Sequence, residues 1–220
     1  MKASIRRAAI AALFLLPMLG ACGGGDDDEW QDEDLVGIWV ADRITGDADL
    51  DRDQSTVVYN ADGSGDIWSN EGPMDFLWET DDGTIITIIP EVPVEFESEY
   101  EFSDSKEQVR MTTFVEGREV TEIYHKVTDN HPAELVNNWR CTSVEINGVP
   151  GNCADVPNLN LQADGAGSVL WNVADDAFVW RNPLTQLGGV MTYTVNGNTL
   201  VMTEADDTGL TVTTYEGLVL

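Results

Sequence analysis

The sequence predicts an all-β protein whose main part is two tandem small antiparallel meander β-barrels, and three observations lead to this prediction. The run Val94–Phe102 alternates apolar or aromatic residues with glutamates, which is the period of two that a half-buried strand shows. Turn signals separate short apolar runs, and Asn196-Gly197 among them predicts a hairpin with a type I′ turn. Motifs of the first half return in the same order in the second half. We expect about seven or eight short strands per half, closing on themselves so that no edge is exposed.

The N-terminus has the layout of a secretory signal. A basic start precedes an apolar run from Ala8, and the run ends at Leu19-Gly20-Ala21-Cys22, a small-residue cleavage site. These four residues resemble a bacterial lipobox, and the resemblance implies cleavage before Cys22 and lipidation of that cysteine. An ordinary cleaved signal with an incidental cysteine is the alternative. We therefore interpret residues 1–21 as a lipoprotein signal peptide.

The next segment, residues 22–34, has the composition of a flexible acidic tether. Three glycines follow Cys22, and the acidic run Asp26–Glu29 follows the glycines. In enterobacterial lipoproteins, which this N-terminus resembles, an aspartate directly after the lipidated cysteine favours retention in the inner membrane. Gly23 occupies that position here. The resemblance therefore implies lipid anchoring at the periplasmic face of the cell outer membrane.

The 220-residue chain is strongly acidic, with 40 Asp and Glu against 11 Lys and Arg. Its formal net charge of −29 becomes −32 when Lys2, Arg6 and Arg7 leave with the signal. A surface of this charge repels nucleic-acid phosphates and anionic lipid headgroups. We therefore expect no nucleic-acid partner, and membrane attachment through the lipid alone. The most apolar later stretch, residues 85–94, is too short and too interrupted to cross a bilayer as a helix.

An internal repeat divides the folded part in two. The segment Leu35–Trp39 returns as Leu135–Trp139. The later matches are, in order, Tyr59–Gly65 with Leu161–Gly167, Phe76-Leu77-Trp78 with Phe178-Val179-Trp180, Tyr100 with Tyr193, Met111-Thr112 with Met202-Thr203, and Tyr124 with Tyr215. The turn-like Asn130-His131-Pro132 lies between the copies. We assign residues 35–127 to a first β domain, 128–134 to a linker and 135–220 to a second β domain.

Two short motifs of the first half resemble those of the lipocalin-like group of small barrels. Gly37-Ile38-Trp39 stands where those domains carry Gly-x-Trp on the first strand, and Asp62-Gly63 follows a predicted strand, as it often does there. The resemblance implies a barrel with a ligand cavity, and through the repeat it extends faintly to the second half. Two departures are visible: Asn137 replaces the glycine in the second copy, and neither half has a clear arginine on its last strand to stack on the tryptophan.

Large aromatic residues predict the interior of each half. Trp39, Trp78, Trp139 and Trp180 recur at matched positions, where they form either the walls of an apolar pocket or a packed core. We favour packing, because side chains alone can fill a narrow eight-stranded barrel. If a ligand binds, alternation places it inside the first barrel. The expected contacts are then Trp39, Trp78, Phe96, Tyr100 and Phe102.

The three cysteines fit an oxidising compartment. If Cys22 carries a lipid, Cys141 and Cys153 form an even pair around a turn-rich loop, and we expect a disulfide. Two free thiols are the alternative. A zinc site is poorly supported, because the spacing is wrong and His125 and His131 are the only histidines.

Two acidic segments carry carboxylates that a cation could bind. Asp47–Asp53 resembles a calcium loop superficially, but Arg52 and Val58 stand where an EF-hand loop needs Gly and Glu. We interpret it as a solvated loop and predict no metal site. Alternate glutamates of Val94–Phe102 lie about 6.8 Å apart on one strand face, too far to share a proton, so we interpret them as an outward face.

No familiar catalytic motif occurs in the sequence. It has no Gly-x-Ser-x-Gly elbow, no phosphate-binding glycine loop and no His-Glu-x-x-His. We expect a lipid-anchored envelope protein that binds a small apolar ligand or an envelope partner, without catalysis and without a cofactor. A purely structural envelope protein with filled barrels is the alternative, and an unrecognised enzyme on a β-barrel scaffold comes third.

Overall fold

The computed structural model describes residues 31–45, 55–69, 72–90, 94–115, 117–206 and 209–218. The predicted signal peptide, Cys22 and the acidic loop Asp47–Asp53 lie outside the described residues. The described part consists of strands, turns and one short 3-10 helix, so the all-β prediction is confirmed. No helix in these ranges combines the length and the apolar character that a bilayer crossing requires.

The first half forms one closed, eight-stranded antiparallel barrel. Its strands are β1 (Gly37–Thr45), β2 (Thr56–Tyr59), β3 (Ser64–Ser69), β4 (Gly72–Asp81), β5 (Thr84–Ile89), β6 (Val94–Phe102), β7 (Gln108–Val115) and β8 (Arg118–Lys126). Each strand pairs with the next, and β8 pairs back with β1. The meander barrel predicted for this half is confirmed, and closure leaves no free sheet edge.

The alternation predicted for β6 is present. Phe96, Ser98 and Tyr100 are half-buried on the inner side, while the glutamates between them are exposed. A strand places successive side chains on opposite faces, so one face packs and the other faces water. The carboxylates of β6 are therefore outward and solvated, as expected.

A tryptophan closes one end of the barrel. Trp39 is fully buried, and its Nε1 donates a hydrogen bond to the Leu35 carbonyl oxygen at 2.7 Å. The ammonium of Lys126, on the last strand, lies 5.1 Å from the Trp39 ring centroid and donates to the Asp34 carbonyl oxygen at 2.8 Å. The last strand thus places a cation over the ring of the first-strand tryptophan. The cation is a lysine rather than the arginine of the lipocalin-like pattern.

The second half forms a sheet that the strand ladders do not close. Its strands are β9 (Asn137–Ile146), β10 (Val149–Pro150), β11 (Leu159–Leu161), β12 (Leu170–Ala174), β13 (Ala177–Arg181), β14 (Gly188–Asn196), β15 (Thr199–Asp206) and β16 (Gly209–Gly217). The sheet runs β10-β9-β16-β15-β14-β13-β12, and β11 pairs with β9. Between β11 and β12 the described residues show only a single bridge, Leu161 with Gly167. A second closed barrel is therefore not confirmed.

Backbone hydrogen bonds show why the sheet of the second half stays open, and they correct one match of the internal repeat. The backbone nitrogen of Trp78 donates to the Gly63 carbonyl at 2.8 Å, and that of Trp171 donates to the Gly165 carbonyl at 2.9 Å. Trp171, rather than Trp180, therefore occupies the position of Trp78. The chain between the matched glycine and the matched tryptophan is much shorter in the second half. The described residues there show no counterpart of the β3–β4 ladder, and the bridge of Leu161 with Gly167 stands where Tyr59 pairs with Gly65 between β2 and β3.

The hairpin predicted at Asn196-Gly197 joins β14 to β15. Asn196 pairs with Thr199, so Gly197 and Asn198 are the two loop residues. Of these, only Gly197 has a positive φ, of 59°, and this pattern is type II′ rather than the expected type I′. The hairpin prediction is confirmed, whereas the expected turn type is wrong because the loop starts one residue later.

The two halves pack against each other. Val40, Ala174 and Val179 form a buried apolar cluster between the first barrel and the β12–β13 hairpin. The Thr56 hydroxyl donates to the Gln186 carbonyl at 2.7 Å. The buried His125 ring lies 3.2 Å from the Ala174 carbonyl oxygen. Outward-facing residues of the barrel are thus covered by the second half.

Candidate ligand cavity of the first barrel

A cavity of about 230 Å³ lies inside the first barrel. It extends toward the end where β7 turns into β8, because Val115 and Val120 both line it. The remaining lining residues come from β2 to β8: Val57, Tyr59, Ile67, Phe76, Ile85, Thr87, Ile89, Phe96, Ser98, Met111, Thr113, Glu122 and Tyr124. The walls are mainly apolar with a few polar groups, the composition typical of a small-molecule pocket, and the volume is slightly below the usual range of such pockets.

Glu122 is the one carboxylate among the described residues that line the cavity. It lies on β8, where alternation puts it on the same inner face as Val120 and Tyr124. Burial raises the pKa of the Glu122 carboxyl, and a hydrogen bond from the Tyr124 hydroxyl acts in the opposite direction. Because the low-dielectric surroundings disfavour the charged form, this group gains from any partner that stabilises its charge.

Two buried tyrosines accompany the carboxyl group. Burial, with a smaller contribution from the charge of Glu122, raises the pKa of Tyr59. Burial followed by Glu122 also raises the pKa of Tyr124 well above its ordinary value. Both phenols therefore stay protonated at neutral pH and act as neutral hydrogen-bonding groups. On the adjacent strands β6 and β7, the hydroxyls of Ser98 and Thr113 lie 2.6 Å apart.

The five aromatic residues predicted as ligand contacts fall into two groups. Phe96 lines the cavity. The other four, Trp39, Trp78, Tyr100 and Phe102, are absent from the lining and belong to the packed core or lie against it. Trp39 lies 6.1 Å from Phe102 between ring centroids, and Phe102 lies 5.6 Å from Tyr100. These four fill the barrel beyond the cavity.

Tyr59 separates the cavity from that aromatic core. Its ring meets Trp78 edge to face at a centroid distance of 5.2 Å, and it meets Phe76 in the same way at 5.4 Å. The Trp78 indole nitrogen donates to the carbonyl oxygens of Asn60 and Ser64, which fixes its orientation. A ligand in the cavity would therefore touch Tyr59 and Phe76, with Trp78 one ring further away.

Sequence reasoning missed Glu122, although one signal was available. Arg118–Lys126 alternates in the strand period, and Glu122 falls in the register of Val120 and Tyr124 rather than of Thr121 and Ile123. A carboxylate on the apolar face of a predicted barrel strand is expensive unless it has a partner, so it marks a candidate site.

The second half is organised differently. Its core contains Trp139, whose Nε1 donates to the Leu135 carbonyl at 2.8 Å as Trp39 does in the first half. Trp171 stacks on Phe178 at a centroid distance of 5.9 Å. The predicted disulfide is present, because Cys141 on β9 is bonded to Cys153 in the 3-10 helix Cys153–Asp155.

The part of the chain that the structure describes contains no group of three His, Cys, Asp or Glu placed to hold a metal ion. Cys141 and Cys153 are taken up by their disulfide.

Comparison with known proteins gave no family. No family model matches the sequence, and no curated protein matches it. Two solved structures resemble it weakly. A protein of unknown function of the DUF3598 family from Nostoc punctiforme PCC 73102 has a TM-score of 0.30 and 11% identity, over 88% of this chain and 100% of that chain. A protein of Bacteroides fragilis NCTC 9343, provisionally described as an outer membrane protein, has a TM-score of 0.23 and 12% identity, over 84% and 98%. At these scores neither likeness carries an argument about function.

Proposed function

We propose that the first barrel binds a small apolar molecule without catalysing a reaction. The observation that carries this proposal is the cavity of about 230 Å³ inside a closed barrel, with apolar walls and a few polar groups. A barrel of this size can be filled by side chains alone, so unfilled interior space next to a packed core favours a ligand over a purely structural role. Burial of ligand surface would supply the binding free energy.

We propose further that the protein works as a lipid-anchored envelope protein, attached through Cys22 at the periplasmic face of the outer membrane. The lipobox-like Leu19–Cys22 and the glycine at position 23 support this location. The acidic surface keeps the folded part soluble and leaves attachment to the lipid. On this proposal the second half is a reduced copy of the barrel that supports the first half, a role that fits its disulfide and its packing against Val40.

A structural envelope protein is the second candidate, because both halves have closely packed cores. Trp39 and Trp139 are almost completely buried, and each donates a hydrogen bond within its own half. Binding of an envelope protein partner in place of a small ligand belongs to the binding proposal rather than to this structural candidate.

Calorimetric titration of the purified protein with hexanol tests the binding proposal. We expect saturable binding of one molecule and a rise in melting temperature. Thr113→Ile replaces a hydroxyl on the cavity wall with the larger ethyl group and should abolish binding, whereas Thr112→Ile makes the same change at the neighbouring outward position and should not. No saturable heat and no shift in melting temperature, in protein that melts normally, would leave the structural candidate as the better account.

A further inference from the structure

We propose that the preferred ligand of the cavity is an apolar amine, whose ammonium group pairs with Glu122. This inference rests on the proposed ligand binding and specifies its chemistry. Glu122 is the one carboxylate among the described lining residues, and none of those residues is basic. The other titratable groups that face the cavity are Tyr59 and Tyr124, both neutral phenols at neutral pH.

The charge of the cavity selects among head groups. A carboxylate ligand would bring a second negative charge next to Glu122, which is unfavourable in surroundings of low dielectric constant. An alcohol can hydrogen-bond the carboxyl group without a change of charge. An ammonium group forms a charge-assisted hydrogen bond with the ionised carboxylate and removes the cost of leaving that charge unpaired.

The rest of the cavity suits the remainder of such a molecule. Val57, Ile85 and Ile89 offer an apolar surface for a short hydrocarbon tail. The Tyr124 hydroxyl already donates to Glu122 and orients the carboxyl group within the cavity. The net charge of −29 also attracts cations and repels anions at long range, so encounter favours an amine as well.

Three ligands of six carbon atoms each test the proposal: hexylamine, hexanol and hexanoate, each titrated calorimetrically into the purified protein near neutral pH. We expect hexylamine to bind roughly tenfold more tightly than hexanol, because a hydrogen bond to a charged group is stronger than one between neutral groups. Hexanoate should bind most weakly. In Glu122→Gln, hexylamine should lose about that factor while hexanol keeps its affinity.

Two controls separate the cavity from the acidic surface. Glu99→Gln makes the same change at an exposed position on β6 and should leave hexylamine affinity unchanged. In the wild type, the affinity of hexylamine relative to that of hexanol should rise as the pH of the titration is raised from about 4 to about 8, because only the ionised carboxylate of Glu122 pairs with the ammonium group. This second measurement needs no variant, so it stands even if Glu122→Gln fails to fold.

The outcomes distinguish the two proposals. The amine preference is overturned, and ligand binding left standing, if hexanoate binds as tightly as hexylamine or if Glu99→Gln and Glu122→Gln lose affinity equally. The same holds if the affinity of hexylamine relative to hexanol does not change with pH. Binding of none of the three molecules overturns both proposals.

Discussion

Glu122 and Tyr124 lie two residues apart on β8, and their side chains share a hydrogen bond inside the first barrel. Packing of this barrel therefore surrounds an ionisable group that would ionise freely in the unfolded chain. The protonation state of Glu122 accordingly links the stability of the fold to the pH.

We predict that Glu122→Gln stabilises the protein at neutral and alkaline pH but not in acid. The folded-state pKa of Glu122 is raised, so the folded protein holds this proton more tightly than the unfolded chain, whose glutamate titrates near pH 4.3. The contribution of protonated Glu122 to the free energy of unfolding is therefore complete below the unfolded pKa, and it is lost as the pH rises through the higher folded pKa. Glutamine carries no charge at any pH and avoids this loss.

Urea unfolding of both proteins from about pH 4 to about pH 8 measures the effect. The difference in unfolding free energy should be small at the acid end and should grow toward the alkaline end. Glu97→Gln, an exposed change on β6, should give a nearly constant difference over the same range. A Glu122→Gln protein that loses its advantage as the pH rises would contradict the assignment.

The disulfide between Cys141 and Cys153 should stabilise the second half by about 3 kcal/mol, the loop-entropy value for a loop of this length. The two cysteines are 12 residues apart in sequence, with Cα atoms 5.6 Å apart. Urea unfolding of the wild type with and without reductant measures the contribution. The double variant Cys141→Ala with Cys153→Ala should behave like the reduced wild type and should not respond to reductant. Equal stability of oxidised and reduced wild type would refute the estimate.

The fold was predictable from sequence where local patterns are sufficient. The alternation along β6, the hairpin after Asn196 and the Cys141–Cys153 bond all follow from short stretches with one dominant physical cause. The closed first barrel also follows, because a meander of short strands removes its edges by closing. Trp39 was correctly favoured as a core residue.

The remainder depended on register and on long-range packing. Phe178-Val179-Trp180 looks like Phe76-Leu77-Trp78, yet backbone hydrogen bonds place Trp171 at the position of Trp78, because the chain after the matched glycine is shorter in the second half. The position of the cavity depends on how far the aromatic core fills the barrel, and sequence does not give that depth. Burial of Val40 and His125 by the second half depends on contacts between distant segments.

Lipidation of Cys22 remains a prediction from sequence. Cys22→Ala should leave an unprocessed precursor and abolish partitioning into the detergent phase, because cleavage and anchoring both require the thiol in the lipobox-like motif. The double variant Cys141→Ala with Cys153→Ala is the matched control, since it removes the other two cysteines and should still fractionate with membranes. A Cys22→Ala protein that matures and stays in the membrane fraction would exclude the anchor.

The packing of Val40 against Val179 should couple the two halves energetically. Val40 lies on β1 and Val179 on β13, and both are almost fully buried in one cluster although each belongs to a different sheet. Val40→Ala and Val179→Ala should each lower the free energy of unfolding by roughly 1 to 3 kcal/mol through lost burial and the cavity left behind. Since the two changes remove the same contact, the double variant should lose about 0.5 to 1 kcal/mol less than the two single losses together.

Urea unfolding of the wild type, the two single variants and the double variant gives the coupling free energy between Val40 and Val179. Ile85 provides the comparison. Ile85 is buried on β5 and belongs to the barrel core rather than to the cluster of Val40 and Val179. Ile85→Ala combined with Val179→Ala should therefore be additive. If Val40→Ala and Val179→Ala are additive as well, the halves touch without stabilising each other. Changing Val179 should then leave the unfolding midpoint of the first barrel unchanged.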